Sequence, residues 1–265
     1  MIDLAAWETQ LAHSTITGRA TLLSEASVGG RAFLNAVPSG RTQMEPAAFL
    51  SELRVRLQVP DAASDTWCPL CDAVLDHNSH HAGMCVAGGE RTQRHHAVRD
   101  LVHTWCQRAG LRPEREKLGL LLPTGPEDMN NSQARRPADV YLPAFAGSPT
   151  AFDFAITAPQ RQETLAQASV RTAAAAEAYA RHKELHLHTA QACEQQGVKF
   201  VPLVAECTGT WDPSALKVLK HVAHAAAAKT GEEPAVCYNQ LLQELGTTIR
   251  SFRARAALRR RFEAS

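Results

Sequence analysis

The chain has 265 residues, of which 45% are hydrophobic and 21% are charged, and its formal net charge is +1. This length and apolar content suffice for one large domain or two modest ones. The balanced charge excludes a general attraction to nucleic acid, so any such attraction must come from local patches. No segment has the length of an apolar membrane span, and the acidic N-terminus lacks the basic region of a secretory signal.

The seven cysteines include a single tight pair and show no disulfide-scaffold spacing. This pattern is typical of a reducing compartment, where closely spaced cysteines serve as metal ligands instead of forming a bridge. We therefore expect an intracellular protein that has no membrane partner.

Helical segments are predicted on both sides of a cysteine-rich stretch. Apolar positions and Pro punctuation predict a helical N-terminal segment over residues 1–66, followed by the Cys- and His-rich residues 67–90. Residues 92–109 return to helical periodicity through Val98 and Val102, among others.

The second half of the chain predicts an α/β fold. Three strand-like segments come first: Leu118 to Pro123, Ala138 to Leu142 and Ala151 to Thr157. A stretch without Gly or Pro follows at residues 161–196, and a fourth strand is predicted from Lys199 to Cys207. Two helices are predicted at residues 213–229 and 234–261. The stretch 161–196 predicts one long helix or two joined ones. A helix that links the third strand to the fourth implies at least one parallel or mixed pairing.

The cysteine-rich stretch carries a zinc-ligand pattern. Cys68 and Cys71 have the Cys-x2-Cys spacing of a knuckle, and His81 and Cys85 follow at a distance that can close a tetrahedral shell. Four ligands leave no open position, so the metal would be structural. His77, His80 and His95 are alternative nitrogen ligands, and ordinary buried cysteines with solvent-facing histidines are the competing interpretation.

Two aspartates lie on consecutive predicted strands. Asp139 and Asp153 are each flanked by apolar residues, where an acid is costly unless a cation or hydrogen-bond donors satisfy it. A shared Mg²⁺ or Mn²⁺ would do so, and could activate water on a phosphodiester. The competing interpretation is that both acids cap turns or pair with Arg135 and Arg136.

From Cys68 to about Trp211 the sequence resembles a known family through several landmarks in order. They are the knuckle, the segment Gly89 to Asp100, Ala109-Gly-Leu with Glu116, Arg-Pro-Ala-Asp139, Phe-Asp153-Phe-Ala, Lys183, and Phe200 to Glu206. This order is similar to the C-terminal region of LINE-type, non-long-terminal-repeat retrotransposon proteins that carry a restriction-like endonuclease. In such proteins a reverse transcriptase portion would precede this region, and no polymerase signature is recognisable here.

The resemblance implies a PD-(D/E)xK nuclease core, a mixed sheet flanked by helices, with the helical segment and the zinc knuckle before it. It implies boundaries at residues 91–232 for the core and 233–265 for a basic C-terminal helix. Carried over, Asp139 and Asp153 would bind Mg²⁺ or Mn²⁺, Lys183 would be the catalytic lysine, and Glu116 a further ligand or water-orienting group. Glu206 matches a family position without an assignable role.

The implied activity is metal-dependent nicking of DNA in the nucleus, with element RNA as a possible second partner. We expect four residues to contact nucleic acid: Arg94, His95, Arg135 and Arg136. The six arginines between residues 250 and 261 also suit phosphate contacts, although a cationic last turn is ordinary for a C-terminal helix. The alternative function is a catalytically inactive, zinc-stabilised module that binds nucleic acid.

One distance opposes the assignment of Lys183. A straight helix from about Glu163 would place Lys183 roughly 30 Å along its axis, whereas the return path to Asp153 needs only about half of that. Either residues 158–170 are bent or partly extended, or another base approaches the phosphate, and Arg171 is the obvious substitute.

Overall fold

A computed structural model describes residues 4–121, 123 and 137–264. Its N-terminal part is helical, as predicted, with helices α1 (Leu4–His13), α2 (Ile16–Glu25), α3 (Val28–Ala32) and α4 (Pro46–Leu57) and short 3-10 turns at Phe33–Asn35 and Gly40–Thr42. The hydroxyls of Thr15 and Ser27 cap α2 and α3 by accepting hydrogen bonds from the backbone N–H groups of Gly18 and Gly30. Such caps satisfy donors that a helix start leaves without an intrahelical partner.

A small hairpin and a short helix follow. Strands β1 (Thr66–Trp67) and β2 (Val74–Leu75) pair antiparallel, and α5 (His80–Met84) comes directly after them. The long helix α6 (Glu90–Arg108) then leads into the main sheet.

The main sheet has four strands in the order β3 (Glu114–Arg115), β4 (Val140–Phe145), β5 (Ser148–Thr157) and β6 (Lys199–Glu206). The first two pairings are antiparallel and β5 pairs parallel with β6, so the sheet is mixed, as expected. The prediction of a strand beginning at Leu118 was wrong, since the strand lies earlier and Leu118 belongs to a turn. The apolar character of that segment has another cause, because Leu120 and Leu121 are buried against Ala138 and Val198.

The segment between β5 and β6 is broken into pieces. The prediction for this segment was one long helix or two joined ones, and the structure has three: α7 (Leu165–Ala168), α8 (Ala174–Leu185) and α9 (Thr189–Gln195), with a 3-10 turn at His186–His188. Left-handed backbone at Ala173 (φ 63°) directly precedes α8, and Leu187 and His188 (φ 53° and 54°) separate the last two helices. None of the three is glycine, so the sequence carried no local signal for either break.

Two helices complete the fold: α10 (Pro213–Thr230) and α11 (Pro234–Ala264). One face of the sheet packs on α6, α10 and α11, with Trp105, Phe152 and Phe154 among the buried residues. The other face is covered by α8, whose Ala176 and Ala180 contact Ala155 and Val204. Among the described residues, no helix is long and apolar enough to cross a membrane.

The arginines of α11 are used mainly inside the molecule. Arg250 is fully buried and donates hydrogen bonds to Glu25 and Glu52, and Arg253 also donates to Glu52. Arg255 and Arg259 are exposed and pair with Glu45 and Glu90. The tail therefore joins the N-terminal helices to the core and is not the open basic surface that phosphate contacts would need.

Candidate functional site

The predicted zinc ligands lie together. The ligand atoms of Cys68, Cys71, His81 and Cys85 are all within 4.8 Å of one another. Cys71 Sγ lies 3.3 Å from His81 Nε2 and 3.7 Å from Cys85 Sγ. Tetrahedral zinc bonds of about 2.0 to 2.3 Å place neighbouring ligand atoms about 3.5 to 3.8 Å apart, so the cluster could hold a metal ion such as zinc.

The alternative histidines have other partners. His77 pairs with Asp65, and His80 pairs with Asp76. Backbone N–H groups of His80 and His81 also donate to the Asp76 carboxylate, which fixes the start of the helix that carries His81. His81 is therefore the histidine that lies with the three cysteines in a cluster that could hold a metal ion.

Arg260 holds the cysteine cluster against α11. Its side chain is 1% exposed, donates a hydrogen bond to the carbonyl of Ala87 and carries a positive charge that interacts with the Cys85 thiol. Three thiolates and one neutral histidine around Zn²⁺ carry a net charge of −1, which the guanidinium offsets. Groups behind metal ligands commonly orient them in this way.

The two predicted catalytic aspartates meet at the sheet. In the register of β4 and β5, Val140 lies opposite Phe152, so Asp139 just precedes this pair and Asp153 just follows it. The two carboxyl groups are close enough to interact, since Asp139 adds to the raised pKa of Asp153. The backbone N–H of Phe154 donates to Asp139 Oδ2 at 2.6 Å, which orients that carboxylate towards its partner.

The surroundings of the two acids shift their pKa values in opposite directions. Burial raises the pKa of Asp153 to about 6, and the neighbouring Asp139 adds to this shift although Lys183 opposes it. Burial would also raise the pKa of Asp139, but the hydrogen bond and charge of His95 and the N–H of Phe154 hold it below its ordinary value. Two acids this close resist double ionisation unless further positive charge is supplied.

Lys183 reaches the acids in spite of its distance along the chain. Its Nζ lies 2.8 Å from Asp153 Oδ2. The break at Ala173 lets α8 lie across the sheet, so the contact does not require the straight 30 Å path. Of the two explanations left open by the sequence, the bent segment is the one found. The substitute, Arg171, pairs instead with Glu177.

His95 is the group that sequence reasoning did not connect with the acids. Its Nε2 lies 3.1 Å from Asp139 Oδ2 and 3.1 Å from the carbonyl oxygen of Phe154. A signal was available, because His95 precedes Val98 and Val102 by three and seven residues and so shares the buried face of α6. The expected direct contact of His95 with nucleic acid would have to coexist with these bonds.

Glu116 lies beside the site through its main chain. Its backbone N–H donates to the carbonyl of Asp139 at 3.0 Å, in a left-handed conformation with φ of 45°. Its carboxylate is bonded to Arg99. Glu116 therefore supports the start of β4, and its carboxylate is bonded to a guanidinium whose charge also interacts with Asp139.

The residues expected to contact nucleic acid divide into two groups. Arg135 and Arg136 lie outside the described residues. Arg94 is 4% exposed and donates to the carbonyl of Gly83. Arg94 faces the interior because it shares the α6 face of Val98 and Leu101, and its contact with nucleic acid stays a prediction.

Glu206 acquires a structural role. It is 1% exposed at the end of β6, where it accepts hydrogen bonds from the hydroxyl of Ser24 and the backbone N–H of Ala176. Ala176 lies in the first turn of α8, whose free N–H groups favour an acceptor. Glu206 thus connects α2, β6 and the helix that carries Lys183.

No protein-family model matches the sequence, and no curated protein or solved structure matches it. What can be said of the chemistry therefore depends on the geometry of the site. That geometry brings together two acids, a lysine and a histidine at one sheet edge, and a separate Cys3His cluster nearby in the fold.

Proposed function

We propose that this protein is a metal-dependent DNA endonuclease that hydrolyses one phosphodiester bond of a strand. One observation carries the proposal: Asp139 and Asp153 flank the facing pair Val140 and Phe152 on adjacent strands, and Lys183 Nζ lies 2.8 Å from Asp153 Oδ2. Two acids and a lysine at a sheet edge are the groups that the resemblance to restriction-like endonucleases implies.

The order of elements supports the same proposal. From α6 onward the chain runs helix, three strands, three short helices, strand, and the four strands form one mixed sheet with helices on both faces. A PD-(D/E)xK core is described in the same terms. Fold likeness alone does not assign an activity, whereas the side chains of Asp139, Asp153, Lys183 and His95 supply groups that can act on a phosphodiester.

The acid pair fits a hard divalent cation. Mg²⁺ commonly takes one or two carboxylates from a protein and completes its shell with water and phosphate oxygens. The raised pKa of Asp153 has its main cause in burial and a further one in Asp139, and positive charge between the acids would relieve both. When bound, such a cation would supply an activated water and neutralise charge on the phosphate.

The protein side chains have separate tasks in this proposal. Asp139 and Asp153 would hold the cation. Lys183 is positioned to stabilise the negative charge that grows on the phosphate oxygens in the transition state. His95 acts through Asp139, because its bond to Oδ2 fixes the orientation of that carboxylate.

The test is conversion of supercoiled plasmid to the open circle on addition of Mg²⁺ or Mn²⁺, in buffer free of chelator so that the Cys3His cluster is preserved. We expect nicking by the wild type and background conversion by Asp153→Asn. Glu184→Gln is the matched control, since it removes one acid from an exposed position and should nick normally. Equal nicking by Asp153→Asn and wild type would exclude the proposed site.

A second candidate function is a zinc-stabilised DNA-binding module without catalysis. It is favoured by the fact that Lys183 and His95 already pair with the two acids, so the four groups can satisfy one another. In that case neither wild type nor Asp153→Asn would nick, while both would bind DNA equally. The origin in a retrotransposon, an RNA partner and a nuclear location belong to the same proposal and follow from the resemblance.

A further inference from the structure

A cavity of about 330 Å³ lies where α5, the start of α6 and the end of β5 meet. Arginines from two places in the chain line it, Arg91 and Arg94 from α6 and Arg161 from the loop after β5, and Glu163 is the single acid in its wall. We call it the arginine cavity. Three guanidinium groups against one carboxylate make it a cationic site, and its volume exceeds that of several water molecules.

Arg94 is the buried element of the wall. Its side chain is 4% exposed, and its hydrogen bond to Gly83 leaves Nε buried without a partner among the described residues. Because Nε has almost no exposed surface, Arg94 contributes positive charge to the wall, whereas the more accessible Arg91 and Arg161 can donate hydrogen bonds to an anion in the cavity. A guanidinium is a donor-only group, so this wall favours an anion that carries acceptor atoms.

The arginine cavity continues the edge on which the acid pair lies. β4 begins at Val140, which lies opposite Phe152 of β5. Just beyond this pair, His95 of α6 contacts β5 at the carbonyl oxygen of Phe154. Arg91 is one helical turn before His95, about 6 Å along the axis. Ile156, which lines the cavity, is about 10 Å along the strand from Asp153.

We propose that the arginine cavity is a phosphate subsite that holds a backbone phosphodiester of DNA next to the one presented to Asp139 and Asp153. The inference rests on the proposed function for its choice of ligand. Arginine recognises phosphate through charge-assisted, often bidentate hydrogen bonds. Arg161 now pairs with Glu163 at 3.3 Å, so an entering phosphate competes with this carboxylate, and the glutamate limits affinity.

The experiment measures affinity for a fluorescent DNA duplex by anisotropy, over a range of salt concentrations, without added Mg²⁺ or chelator. Arg91→Ala and Arg161→Ala are each expected to weaken binding about tenfold, as for loss of a hydrogen bond to a charged group. Each should also reduce the slope of log K against log salt by about one unit, since one phosphate contact is lost. Arg255→Ala is the matched control, because Arg255 has a similar exposed ion pair, with Glu45 at 3.2 Å.

A variant that binds DNA more tightly than the wild type tests the proposal in a way that poor folding cannot imitate. Glu163→Gln removes the competing carboxylate and should tighten binding two- to fivefold, roughly the range measured for exposed ion pairs. Glu45→Gln makes the same change of charge in the control pair and should leave affinity unchanged.

Plasmid nicking by the same proteins separates the two proposals. If Arg91→Ala and Arg161→Ala lose affinity although the wild type does not nick, the subsite holds and the nuclease activity fails. If the wild type nicks and binds DNA no better than either variant, or if it binds no DNA, the subsite is overturned. Equal gains in Glu163→Gln and Glu45→Gln would overturn it as well, because the effect would then be one of overall charge.

Discussion

Lys183 Nζ lies 2.8 Å from Asp153 Oδ2, although a helix, a turn and a second helix separate the two residues along the chain. The contact exists because the chain takes a left-handed step at Ala173 and then starts α8 anew. The first turn of α8 is held by Glu206, and the last turn carries Lys183. One helix therefore connects a buried structural acid with the candidate site.

Replacing Lys183 tests its part in the chemistry. Lys183→Ala is expected to lower the nicking rate about 10²- to 10³-fold, the range for loss of one group that stabilises transition-state charge. DNA affinity should change little, because the contact with Asp153 is internal. Single-turnover nicking at saturating enzyme is the measurement, with the exposed Lys220→Ala as control. An effect on affinity alone would show that Lys183 only binds the substrate.

Arg260 is expected to control retention of zinc. Arg260→Met removes the hydrogen bond to the carbonyl of Ala87 and the positive charge that interacts with Cys85 and Cys68. Loss of such a partner behind the ligands typically costs 10- to 100-fold in metal affinity. Competition with a chromogenic zinc chelator measures the change, and Arg255→Ala should release zinc as the wild type does. Unchanged zinc affinity in Arg260→Met would assign Arg260 to packing alone.

The buried carboxyl group of Glu206 is expected to make the stability of the protein depend on pH. Burial raises its pKa to about 7 in the folded protein, from an ordinary value of 4.5. Between pH 4.5 and about pH 7 the folded state keeps a proton that the unfolded state has released. The free energy of unfolding therefore falls as pH rises through this range, by up to about 3 kcal/mol. Glu206→Gln resembles the protonated acid and should lose this dependence.

The measurement is urea unfolding of both proteins between pH 5 and pH 8. The two should have similar stability at pH 5, and Glu206→Gln should be the more stable at pH 8. Titration of other groups cancels in the difference. A constant difference across the range would mean that Glu206 is ionised throughout.

Arg250 is expected to be essential for stability and not for direct contact with DNA. Its guanidinium is fully buried between Glu25 and Glu52. Arg250→Met leaves these acids with less compensation in the interior, which typically costs 3 to 5 kcal/mol. Arg255→Ala, at the exposed surface of the same helix, should cost less than about 1 kcal/mol. Urea unfolding gives both values, and equal costs would contradict the buried network.

Local features were predictable from the sequence. The grouping of Cys68, Cys71, His81 and Cys85 was predictable from their spacing, because ligands close in sequence can turn back on one ion. The strands that carry Asp139 and Asp153 followed from apolar and β-branched residues between turn signals. The mixed pairing followed from the helical segment between the last two strands, and the sheet contains it.

Other relations were decided only by the tertiary structure. Ala173 has a left-handed backbone without a glycine to announce it, and this break, imposed by packing on the sheet, brings Lys183 to Asp153. The arginines of α11 appear as a basic tail in the sequence, yet burial against Glu25 and Glu52 makes Arg250 and Arg253 structural. Periodicity and ligand spacing act over a few residues, whereas these encounters depend on how distant elements pack, which no local pattern specifies.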